Sequence, residues 1–230
     1  MNGFASPQTL VALPFSPSAA DLYSRVFDAI LEQRIHAGSR FTEESLARMF
    51  GVRRSGIRGV LTQLSHQQII VLRVNHRPRV AVLDGEQTRQ TVHARRLAET
   101  TLVRLACQQP HPHDLQRLRA LIDSERLCQE RGPATRLAGE FHLQLAEMAG
   151  NAPLAHFLGS LVPLTSLAIA QFDVRVGGNC DWRRHEGILE AVERGGDALK
   201  AEMLLSRHLD YLEETLLNPG PDLNQSRVAG

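Results

Sequence analysis

The stretch from Phe41 to Leu64, FTEESLARMFGVRRSGIRGVLTQL, constrains the fold of this chain more than any other. Thr42 is a residue type that caps helix N-termini, and Leu46, Ala47 and Phe50 fall on one face of the helix it would start. Gly51 interrupts that pattern where a sharp turn needs a residue free to take positive φ. A second helical pattern follows, with Ile57, Val60, Leu61 and Leu64 at i, i+3, i+4 and i+7. Two short helices joined by a glycine turn make a helix-turn-helix. The second helix carries Arg53, Arg54, Ser55 and Arg58 at its N-terminal end, the end that a recognition helix places in the major groove. Guanidiniums and a hydroxyl there suit phosphate oxygens and guanine edges. A two-helix corner of an ordinary core, with a solvated arginine face, satisfies the same pattern.

The flanks favour the DNA-binding reading. Gln67 to Leu72 is a β-branched run, Arg73 to Arg79 is polar, and Val80 to Leu83 is apolar again. This predicts two short strands around a basic tip, a β-wing, with Asn75, His76 and Arg77 at the tip. Upstream, Leu22, Val26, Phe27, Ile30 and Leu31 predict an amphipathic helix packed on the pair. Residues 21–84 hold ten arginines against six acidic residues, +4, which leaves −3 for the rest of a chain of net charge +1. The positive field is therefore concentrated where the winged helix is expected.

Beyond Asp84-Gly85, read as a hinge, the chain shows helical periodicity and no strand pattern. Six helices are expected: residues 86–109, 113–131, 134–149, 153–175, 182–194 and 197–217, with breaks at Pro110-His111-Pro112, Gly132-Pro133, Gly150-Asn151, Gly177-Gly178-Asn179 and Gly195-Gly196. Loops this short favour an antiparallel bundle. Residues 1–20 and 219–230 read as flexible tails. The expected organisation is thus a mostly α chain, with a winged helix-turn-helix over 21–84 and an all-helical bundle over 85–218. No run was found that approaches the ~20 apolar residues of a membrane helix. The N-terminus lacks the basic n-region of a signal peptide. Cys107, Cys128 and Cys180 are an odd number without CxxC spacing. A cytoplasmic protein without membrane association is the resulting expectation.

The segment from Leu22 to Leu64 resembles the DNA-binding domain of GntR-family transcription regulators, in which "I..G.l.PG..l.E..LA" is followed by "GVSR.PVREAL..L". Gly38, Leu46-Ala47, Gly51-Val52, Arg54, Arg58 and Leu61 hold their places, while Ala37, Arg53, Gly56 and Gly59 depart from the pattern. The wing has NHRPRV where "NRG..V" is usual. The second part resembles the FCD ligand-binding domain of the FadR subfamily. Arg95-Arg96-Leu97-Ala98-Glu99 matches its "R..LE" piece, and Phe141-His142 with Gly150-Asn151 matches "D..FH..L....GN". His185, Ile188-Leu189, Gly196-Asp197 and His208-Leu209 match "H..IL.AI..GD...A......HL".

The resemblance implies a homodimeric, ligand-responsive regulator reading a palindromic double-stranded DNA operator. Its DNA contacts would come from Arg53, Arg54, Ser55, Arg58, His76 and Arg77. It also implies that His142, His185 and His208 hold a divalent metal such as Zn or Ni, whose open positions take a small carboxylate effector. The family's fourth ligand, an aspartate four residues before the first histidine, is Ala138 here. Glu140 lies about 200° around the helix from His142 and does not replace it. Arg95 is a candidate effector contact, and an Arg95/Glu99 ion pair along the helix is the alternative. Two rival readings remain: a metal-free regulator of the same fold binding a bulkier ligand such as an acyl thioester, and a metal-dependent hydrolase using the three histidines.

Overall fold

The computed structural model describes residues 18–108, 110–172, 182–193 and 197–217. The expected tails before residue 18 and beyond residue 217, the Gly177-Gly178-Asn179 loop and the Gly195-Gly196 break lie outside the described residues.

Helix α1, Ala19–Leu31, starts two residues earlier than the expected module because Ser18 caps it, its Oγ accepting from the Asp21 amide. Helix α2, Glu43–Phe50, opens with a reciprocal capping box between Thr42 and Ser45 and ends at Gly51, whose φ of 66° is left-handed. Helix α3, Arg54–His66, presents Ile57, Val60, Leu61 and Leu64 to the core. The three helices pack around Leu22, Val26, Ile30, Leu46 and Phe50.

The wing is present but shorter than predicted. Strand β1 is Ile70–Val71 and β2 is Arg79–Val80, paired antiparallel with Ile70 opposite Val80. Two causes are visible. Gln67 and Gln68 finish α3, Gln68 at φ 61°, so they never enter the strand. On the other side, Leu83 donates its amide to Gln171 Oε1 and the Ala81 carbonyl accepts from Gln171 Nε2, so the chain leaves the ladder for a helix of the second domain.

Six further helices follow among the described residues: α4 Gly85–Ala106, α5 Pro112–Leu127, α6 Arg131–Met148, α7 Ala152–Gln171, α8 Trp182–Glu193 and α9 Ala198–Leu217. They form the expected bundle. Helix α4 packs on α9 and α7, α6 on α5 and α7, and α8 on α5 and α9.

Three sequence readings need correction. Asp84-Gly85 is not a loose hinge, because Asp84 caps α4 in a reciprocal box with Gln87. Gly132-Pro133 does not break a helix. It lies in the first turn of α6, where amides have no intrahelical acceptor and proline is tolerated. Gly132 is there because α1 comes close: a Cβ would stand 2.7 Å from Glu32 Cγ and 2.8 Å from the Asp28 carbonyl oxygen. Finally, α7 is 20 residues long and contains an 18-residue window of mean hydropathy 1.5, so by length and composition it does match a membrane span. In the fold it packs on α1, α4 and α6 and buries Val162 through Ala168.

The two parts share a core. Leu164, Leu167 and Ala170 of α7 belong to the same apolar cluster as α1, α2 and α3. Beside it, Arg136 of α6 donates to both Asp28 oxygens, at 2.7 and 3.2 Å, and to Glu140 at 2.6 Å.

Candidate metal centre and nucleic-acid interface

Five of the bundle helices converge on one cluster. His142 of α6, His185 of α8 and His208 of α9 are all buried, and one ring nitrogen from each lies within 4.8 Å of the others. The three histidines read from the sequence are thus brought together. Helical spacing explains why. His185 shares its face with Ile188, Leu189 and Val192, and His208 with Leu205, Leu209 and Leu212, so each imidazole sits on an apolar stripe that points inward.

The remaining two helices supply carboxylates. His142 Nδ1 meets Glu99 Oε2 of α4 at 2.6 Å, and His185 Nδ1 meets Glu125 Oε2 of α5 at 2.8 Å. A carboxylate at Nδ1 places the ring proton there and turns Nε2 into the lone-pair donor. His142 Nε2 then lies 3.2 Å from His208 Nε2. His185 Nε2 is fully buried and has no hydrogen-bond partner among the described residues. Two ligand nitrogens at about 2.1 Å from one zinc-like ion would stand roughly 3.0–3.4 Å apart, which is the separation of the first pair. These residues therefore fit a divalent metal.

Electrostatics keep His142 and His208 in the neutral form that a metal needs. Burial pushes the His142 pKa down, and the Glu99 charge offsets this only in part. His208 is pushed well down by burial and by the neighbouring His185 and His142. Burial alone would raise the Glu99 carboxyl, but Arg95 and His142 outweigh it and hold it below the usual carboxylate range. The result is an anionic Glu99 beside a neutral His142.

Arg95 is buried, with 3% exposure, and its Nε donates to Glu99 Oε1 at 2.6 Å. The ion pair read as the alternative is therefore formed. Arg95 Nη2 is also buried and has no hydrogen-bond partner among the described residues. Glu140, two residues from His142, is committed to Arg136. Ala138 offers no ligand atom at the family's aspartate position.

Sequence reasoning paired Glu99 only with Arg95 and passed over Glu125. Their register was the available signal. Glu125 follows Leu118 and Ile122 at i+7 and i+3, and Glu99 follows Val92 at i+7, so both carboxylates fall on buried stripes.

The second site lies at the other end of the chain's fold. One groove is lined by Thr42, Glu43, Arg54, Arg58, His76 and Arg77, so the recognition-helix and wing residues, read from separate motifs, come together. Arg53 is the N-cap residue of α3 and makes no side-chain cap, and it and Ser55 are exposed beside the groove. His76 Nδ1 is 2.9 Å from the Val74 carbonyl oxygen, which holds the ring at the wing tip. Arg54 and Arg58 both bond to Glu43.

A winged helix joined to a helical bundle with a buried, ligand-type cluster defines a class of DNA-binding transcription regulators, not of enzymes. The chain belongs to the GntR family of bacterial regulatory proteins, with residues 18–80 matching that family's profile and residues 90–211 matching the FCD domain. Solved structures with the same fold include E. coli McbR/YncC, 16% identical over 86% of this chain and 96% of its own, with a TM-score of 0.69. A putative transcriptional regulator GntR from Rhodococcus sp. RHA1 is 19% identical over 88% of this chain and 98% of its own, also at 0.69. A GntR family member from Pseudomonas syringae pv. tomato str. DC3000 is 22% identical over 93% of this chain and 92% of its own, at 0.55. No curated protein matches the chain.

Proposed function

We propose that this protein is a homodimeric, cytoplasmic repressor that senses a small organic acid at a divalent metal held by His142, His185 and His208. The observation that carries this reading is the convergence of three buried imidazoles, two of them oriented by carboxylates at Nδ1. Zinc or nickel suits an imidazole set with open positions, and a bound metal would supply a Lewis-acidic contact for an effector carboxylate. Arg95 Nη2 would take a second carboxylate oxygen. Residues 21–84 would read DNA through Arg53, Arg54, Ser55, Arg58, His76 and Arg77, and residues 85–218 would sense and dimerise. A two-fold protein implies two half-sites in a palindromic operator. The effector changes DNA affinity only through its different affinity for the two placements of the winged helices.

Ala138 favours one second reading, a metal-free regulator that holds a bulkier acid, such as an acyl thioester, by hydrogen bonds and Arg95. Elemental analysis of protein purified without chelator or affinity-column metal separates the two. About one equivalent of metal per chain, lost in His142→Ala, supports the metal site. Protein that carries none after dialysis against zinc or nickel supports the second reading.

A further inference from the structure

Glu43 is the first residue of α2, yet its carboxylate reaches across the groove to α3. Its Oε1 accepts from Arg58 Nε at 3.0 Å, and its Oε2 accepts from Arg58 Nη2 at 2.9 Å and from Arg54 Nη2 at 3.2 Å. A guanidinium has two usable forks. Glu43 takes the side fork of Arg58, made by Nε and Nη2, and leaves the end fork of Nη1 and Nη2 facing away. The end fork is suited to a bidentate contact with guanine O6 and N7. The carboxylate thus fixes the plane of the guanidinium without occupying the edge that would read a base.

A purely structural role for Glu43 fits less well. Arg54 and Arg58 are 60% and 63% exposed, so removing their shared carboxylate strands no buried charge, and exposed ion pairs contribute little to folding. A negative charge in a surface that meets phosphates also opposes binding to every DNA alike. Such a charge is useful there if it improves discrimination.

We propose that Glu43 is the positioning residue for base readout, holding Arg58, and more loosely Arg54, end-on to the groove, so that it raises sequence discrimination while lowering general DNA affinity. This rests on the reading of Arg54 and Arg58 as DNA contacts. The test uses the full chain, a duplex selected from a randomised pool by the wild-type protein, and a scrambled duplex of equal length, titrated over a salt series. In Glu43→Gln the scrambled duplex is expected to bind as tightly as before or more tightly. The ratio of the two affinities should fall about tenfold or more, with Tm unchanged. An unchanged ratio, whether or not both affinities move together, overturns the proposal. Arg58→Ala is measured alongside. If it too leaves the ratio unchanged, the base-contact reading of Arg58 fails. If it collapses the ratio while Glu43→Gln does not, only the positioning role of Glu43 fails.

Discussion

Glu99 and Glu125 hold His142 and His185 by their Nδ1 atoms and so set which ring nitrogen of each faces the cluster. Glu125→Gln keeps the side chain's shape but weakens the hold on His185. We expect metal affinity to drop about 10- to 100-fold, as for other outer-shell partners, measured by competition with a chromophoric chelator. The protonation state makes a second prediction. The His142 pKa is depressed from 6.5 to about 4, by burial above all, and His208 shifts in the same direction. Below pH 6.5 the unfolded chain therefore takes up protons that the folded chain refuses. Stability of the metal-free protein should be fully present above pH 6.5 and decline as pH falls towards about 4. Urea midpoints across that window should slope less in His142→Gln; an identical slope would show that His142 is not held neutral. The histidines were legible in the sequence because their residue type and spacing match a family pattern. The carboxylates were not, because a glutamate on a mostly polar helix such as α5 reads as solvated unless its register with Leu118 and Ile122 is followed.

Among the elements, α6 links the first helix of the winged helix to the histidine cluster. Its N-terminal half grips α1 through Arg136 and Asp28, and its middle carries His142 into the cluster. Arg136→Ala would leave the largely buried Asp28 carboxylate without its guanidinium. The expected cost is about 1–3 kcal/mol of stability, read as a shift of the urea midpoint with the metal cluster still formed. Elements whose ends are set by local chemistry were the readable ones. Thr42 and Gly51 bound α2 at the expected residues, since capping and positive φ are local demands. Gly132-Pro133 and the wing were misjudged for the opposite reason. The glycine answers the approach of α1, and the second strand of the wing is cut short by Gln171 of α7, partners distant in sequence.

For the whole molecule, the basic winged helix and the buried histidine cluster lie in different parts of the chain, residues 18–80 matching the GntR profile and residues 90–211 the FCD domain. The link between them is physical contact as well as chain connectivity. Leu167 of α7 is fully buried in the cluster built by α1, α2 and α3. Leu167→Ala should cost about 2–5 kcal/mol. Hydrogen exchange should then speed up in α1 and α3, although the substitution lies more than a hundred residues downstream of them. Acceleration confined to the bundle would contradict the shared core. That shared core limits how these halves can be recombined. A chimaera that grafts this winged helix onto another regulator's sensor would leave the apolar underside of α1 facing a helix not shaped for it. The portable unit is therefore the winged helix together with the inward face of α7, and a shorter transplant should need compensating changes at positions 164, 167 and 170 to hold its shape.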